Sequence, residues 1–233
     1  MNNKSEVRNN DTKKIATLVI LILTVMISTT GATFAYFQIS ATNATTMTGT
    51  AAVADLSLAV TRETPDTTKW DASNKVMVPQ LSTALATAMN ATNKCVDANN
   101  NVVCEVFKII VTNNSTSSVR LRGAVFFTYS GTGATYSNLY WRQTTNENTI
   151  GSNTIFKAST IETTNSTTEE AENATLVADL LLAPGAPQTY YVVVWIKETN
   201  TNQNETDVGT WTATVSFKDK VNPNKGITST ITS

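Results

Sequence analysis

Apolar and polar residues alternate along most of this chain. Leu56, Leu58 and Val60 stand on one parity with Ser57 and Ala59 on the other, and Phe107, Ile109 and Val111 interleave with Lys108 and Ile110. Val119, Leu121, Val125, Phe127 and Tyr129 share a parity against Arg120, Arg122 and Thr128. Tyr190, Val192, Val194 and Ile196 alternate with Tyr191, Val193, Trp195 and Lys197, and Trp211, Ala213, Val215 and Phe217 with Thr212, Thr214, Ser216 and Lys218. Successive side chains of a strand point to opposite faces, so this period predicts strands with one face in a core and one in water. Asn113-Asn114-Ser115, Gly131-Thr132-Gly133 and Pro184-Gly185-Ala186-Pro187 supply turns between the runs. No regular alternation with long helices suggests βαβ units, so the pattern predicts an all-β chain forming an antiparallel β-sandwich.

Two segments break the period of two. Leu81, Leu85 and Met89, flanked by Ala84 and Ala88, repeat at helical spacing after Pro79; Leu176, Val177, Leu180 and Leu181 do so after Glu169, Glu170 and Glu172. Each predicts a short helix covering the sandwich. The stretch 222–233 is polar and reads as a loose tail, leaving 48–221 for the sandwich.

The first residues follow a different logic. Lys4, Arg8, Lys13 and Lys14 outweigh Glu6 and Asp11 ahead of the charge-free apolar run Ile15 to Ile27. That is the build of a signal peptide, and the run is short for a membrane span of roughly 20 residues. Thr33-Phe34-Ala35 places small residues where a signal peptidase reads them, which puts the cut between Ala35 and Tyr36 and makes 1–35 the leader. Left uncut, 15–36 is long enough to act as a membrane anchor. The following stretch, 36–47, is extended in character and carries Phe37, Ile39 and Ala41 on one side. It reads either as a donor strand for a neighbouring subunit or as the first strand of its own domain.

The junction Gly31-Ala32-Thr33-Phe34-Ala35-Tyr36-Phe37, followed by Ala54-Asp55-Leu56-Ser57-Leu58, resembles the TasA and camelysin family of Gram-positive surface proteins. Tyr190-Tyr191-Val192-Val193-Val194-Trp195-Ile196 and Gly209-Thr210-Trp211-Thr212-Ala213-Thr214-Val215 are similar to the family's closing strands. The resemblance implies a jelly-roll-like sandwich, cleavage by a signal peptidase of the SipW type, and a secreted subunit of a cell-surface or biofilm-matrix fibre. Such a subunit polymerises with copies of itself and meets the membrane only as a precursor. The chain differs from the family in Gln38-Ile39 after the junction and in its pair of cysteines.

Composition narrows the chemistry. Past the leader, 13 Lys and Arg face 16 Asp and Glu with no basic stripe, which argues against nucleic-acid partners. Cys95 and Cys104 bracket eight residues, a spacing suited to a disulfide-closed turn in an exported protein and unlike a C-x-x-C motif. Asp97-Ala98-Asn99-Asn100-Asn101 starts like a calcium loop, but Val102 stands where the turn glycine belongs and Lys108 where the bidentate Glu belongs, so an Asx turn fits better. The chain has no histidine. That removes H-E-x-x-H zinc sites and Ser-His or Cys-His nucleophile pairs, and neither a catalytic residue nor a metal or cofactor is assigned. The competing non-catalytic reading is a monomeric surface module or adhesin. In it Trp70, Tyr136, Tyr140 and Trp141, of which Tyr140-Trp141 is the strongest candidate, offer flat rings to a glycan.

Overall fold

A computed structural model describes residues 47–50, 55–65, 77–99, 101–130, 138–198 and 210–232, all within the unit Phe37–Ser233. Its strands are β1 (Met47–Thr50), β2 (Leu56–Thr64), β3 (Glu105–Asn113), β4 (Val119–Ser130), β5 (Leu139–Thr144), β6 (Phe156–Ala158), β7 (Glu172–Asn173), β8 (Thr175–Leu182), β9 (Pro187–Ile196), β10 (Thr210–Asp219) and β11 (Gly226–Thr232). They form a seven-stranded sheet in the order β1-β2-β3-β9-β5-β6-β7 and a four-stranded sheet in the order β11-β10-β4-β8. All neighbours are antiparallel except β6 and β7. The chain is an antiparallel β-sandwich, as the alternation predicts.

The inward parities meet between the sheets. Leu58, Val60, Phe107, Ile109, Leu121, Val125, Phe127, Val192, Val194, Trp211, Val215 and Phe217 form one buried cluster. Phe107 and Phe127 both meet Trp211 edge-on, with ring centroids 6.0 and 5.8 Å away. Edge-to-face contact suits the ring quadrupoles and adds to the burial.

A second buried cluster lies on the outer face of the larger sheet. Between β2 and β3 the chain leaves the sheet and returns as a cap containing α1 (Leu85–Ala88). Leu85, Ala88, Met89, Cys95, Val103 and Cys104 pack on Val106, Val193 and Trp195. The cap is fastened at its start by Val78 N–H donating to Val102 O (2.7 Å) and Gln80 N–H to Ile196 O (2.9 Å). The helical spacing at Leu85 and Met89 is therefore realised as a single turn covering the sheet. Apolar cover on both sides explains why Tyr190 to Ile196 is an almost unbroken apolar run.

The helix expected around Leu176 is instead strand β8. Register shifts opposite Leu121, Gly123 and Ala124 insert extra residues on β8, so its core-facing side chains fall at 176, 177, 180 and 182. Two bulges on one edge strand thus imitate helical spacing. The expected tail at 222–233 is also corrected: Gly226–Thr232 is β11, paired with β10 over seven successive positions, with Ile227 and Ser229 buried. Hydroxyl side chains on its outer face disguise a strand whose inner face supplies Ile227.

The sandwich closes along both sides. Val125 and Phe127 donate their N–H groups to Ala174 O (2.7 Å) and Ser159 O (2.9 Å), tying β4 to the segment joining β6 to β8. On the opposite side β11 runs beside β1 and β2.

Candidate functional site

The cysteines are joined. Cys95 and Cys104 form a disulfide with their Cα atoms 5.0 Å apart, and both are buried under the cap. Between them Asp97 Oδ1 accepts the N–H groups of Asn99 and Asn101 at 2.8 Å, and Oδ2 accepts Asn101 Nδ2 at 3.1 Å. Burial pushes the Asp97 carboxyl up, but these bonds outweigh it and hold the pKa below the ordinary value. Its oxygens serve the turn, as the Asx reading requires. Among the described residues no group of three or more His, Cys, Asp or Glu could hold a metal ion.

The proposed ring platform separates into two environments. Trp141 is 1% exposed and packs 5.5 Å from Phe156, while its Nε1 donates to Asn173 O at 2.9 Å. It faces the core and cannot stack on a ligand, because inward parity on β5 aims it between the sheets. Tyr140, on the opposite parity, is half-buried beside Trp195, with Lys197 Nζ 5.2 Å from its ring centre and Glu170 paired to that lysine. Trp70 and Tyr136 lie outside the described residues, as do Ala35, Tyr36, Phe37, Ile39 and Ala41.

A buried ion pair went unforeseen. Arg62 shares the inward parity of Leu58 and Val60, and Glu105 that of Phe107. Arg62 Nη2 lies 3.4 Å from Glu105 Oε2, with its guanidinium carbon 5.8 Å from the centre of the Phe107 ring. Glu105 is 3% exposed, and burial raises its pKa from 4.5 to about 7 against the pull of Arg62. The available signal was the parity of Arg62 and Glu105 with core residues on neighbouring strands.

The remaining feature is the set of sheet borders. β1 and β7 bound the larger sheet, β11 and β8 the smaller. β1 pairs with Ser57–Val60 of β2, while Thr61–Thr64 continues past the end of that pairing along β3. The chain preceding Met47 therefore joins the fold at a border strand.

No family model matches this chain, and no curated protein sequence is similar to it. Among solved structures it is similar to a FixG-related protein from Vibrio parahaemolyticus, at 8% identity over 76% of this chain and 93% of that one, with a TM-score of 0.34. It is also similar to the N-terminal domain of PorA, at 12% identity over 55% of this chain and 73% of that one, with a TM-score of 0.30. Likeness this distant leaves function to be argued from the chain itself.

Proposed function

We propose that this protein is a secreted, non-catalytic subunit of an extracellular cell-surface or biofilm-matrix fibre, related to the TasA and camelysin proteins. After removal of the leader by a signal peptidase of the SipW type, the expected donor segment 36–47, shortened by Met47, which pairs with Val60 in β1, adds as a strand to the next copy. Main-chain hydrogen bonds supply affinity, and Phe37, Ile39 and Ala41 fill pockets on one side. Repeated head to tail, this heterologous contact does not close on itself and grows as a filament.

The observation that carries the reading is the position of β1. It is four residues long, pairs with β2 and borders the sheet, so the segment before it can extend outward without breaking any described pairing. The disulfide suits an oxidising compartment outside the cell. The alternative of a glycan-binding module loses its strongest ring with the burial of Trp141.

The test is electron microscopy of chains beginning at Tyr36 and at Met47, the second start keeping β1 whole. Near-ultraviolet circular dichroism verifies that both are folded. Filaments from the first and monomers from the second are expected. Monomers from both overturn assembly through this segment.

A further inference from the structure

We propose that Arg62 and Glu105 form a pH-sensitive clasp at the base of the cap, holding it on the larger sheet in acid and releasing it above neutral pH. The clasp works within one subunit, whatever joins that subunit to the next.

It lies where the cap begins and ends. The chain leaves β2 after Thr64 and re-enters the sheet at Glu105, the residue that follows the disulfide-bonded Cys104. Thr64 opposite Val106 is the last pair between β2 and β3, and the register shifts between Arg62 and Thr64, so Glu105 stands one position beyond that ladder. Two contacts bridge the ends of the cap. Arg62 Nη2 lies 3.4 Å from Glu105 Oε2, and the Thr64 hydroxyl donates to Cys95 Sγ at 3.5 Å.

The carboxyl is poorly served there. Its side chain is 4% exposed, and Oε2 is buried without a hydrogen bond. A buried carboxylate needs hydrogen bonds as well as a countercharge, and without them the neutral form is favoured. Among the described residues the charge acting on it is that of Arg62. Val194 stands opposite on β9, both cysteines of the cap are joined, and Glu63 accepts from the Thr61 hydroxyl. Lys108 lies over the Tyr191 ring, and Lys197 pairs with Glu170. Burial outweighs Arg62 and sets the Glu105 pKa at about 7 with the cap closed.

Parting the two ends admits water to the carboxylate, so an open cap binds fewer protons than a closed one and opening grows as pH rises. Between the ordinary 4.5 and about 7 the equilibrium gains up to roughly 300-fold toward the open form. Opening uncovers Val106, Val193 and Trp195 on the outer face of the larger sheet.

The test is native-state amide exchange of the disulfide-bonded protein in low concentrations of urea, from about pH 5 to about pH 8, with intrinsic exchange rates divided out. The reporters are the amides of Cys95 and Val103, which donate to Ala88 O and Cys95 O within the cap, and β10 reports global unfolding. Both cap amides are expected to exchange through an opening that urea leaves unchanged and that grows at least about tenfold over this range. Glu105→Gln abolishes that growth, and Arg62→Gln, by withdrawing the countercharge, carries the end of the rise to higher pH; near-ultraviolet circular dichroism verifies that both variants are folded. Cap amides with the same urea dependence as β10 overturn the clasp, because the cap then leaves only with the whole fold. A urea-insensitive opening that ignores pH, or whose growth survives Glu105→Gln, overturns it as well.

Discussion

Gly123 and Glu105 show how much one position can decide. Gly123 lies on the inner face of β4, where a Cβ would come within 2.7 Å of Phe217 Cε1 and 2.9 Å of Val177 Cγ1. Overpacking of this kind costs about 1–3 kcal/mol, so Gly123→Ala is expected to lower the urea midpoint correspondingly. Glu105 acts through its charge. Its pKa is 4.5 ordinarily and about 7 in the fold, so the unfolded chain loses its proton first as pH rises. Its stabilising contribution is complete below the lower value and is lost by the time pH passes the higher one, a change on the order of 3 kcal/mol. Glu162 behaves oppositely: burial pushes its carboxyl up, but hydrogen bonds from Lys218 and Ser216, both 2.5 Å, hold it below the ordinary value. Its contribution is present above the ordinary carboxylate range and is lost as pH falls through its lowered pKa. Chemical denaturation at a series of pH values is expected to show Glu105→Gln flattening the decline between 4.5 and 7 while leaving the acid-side loss in place.

Among elements, the cap depends most on its covalent link. Cys95 and Cys104 are nine apart in sequence, and closing so short a loop contributes about 2–3 kcal/mol in the chain-entropy model. The double change Cys95→Ser with Cys104→Ser is expected to lower stability by that amount. Amide exchange is expected to rise first at Ala88 to Val103, because β3 and β9 keep their ladder without the link. Strands with one covered face were legible from sequence, since Leu56 to Val60 and Phe107 to Val111 alternate cleanly. The doubly covered half of β9 was not, because Val193 and Trp195 owe their burial to a cap inserted some ninety residues earlier. β8 was misread because bulges alter which residues face inward, and a pattern along one strand does not record its partner's register. The cysteine link and the Asx turn were visible because both are local. The inward turn of Trp141 emerged only when β5 took its place beside β9.

At the scale of the whole molecule, long-range pairing governs the architecture: β3 meets β9, β4 meets β10, and β11 lies beside β1. Contacts so distant in sequence must overcome loop-closure entropy before they gain burial, which makes such folds slow to form. The placement of β11 adds an order in time. A ribosome delivers β1 early and β11 after every other described strand, so the smaller sheet stays incomplete until 226–232 has emerged. Until then β10 stands as the border, with Val215 and Phe217 lacking their neighbours Ser229 and Ile227. A chain stopped after Lys225 is expected to elute as soluble aggregate in size-exclusion chromatography, whereas the full chain beginning at Met47 elutes as a monomer. The last of the described strands thus serves as a completeness check on the smaller sheet.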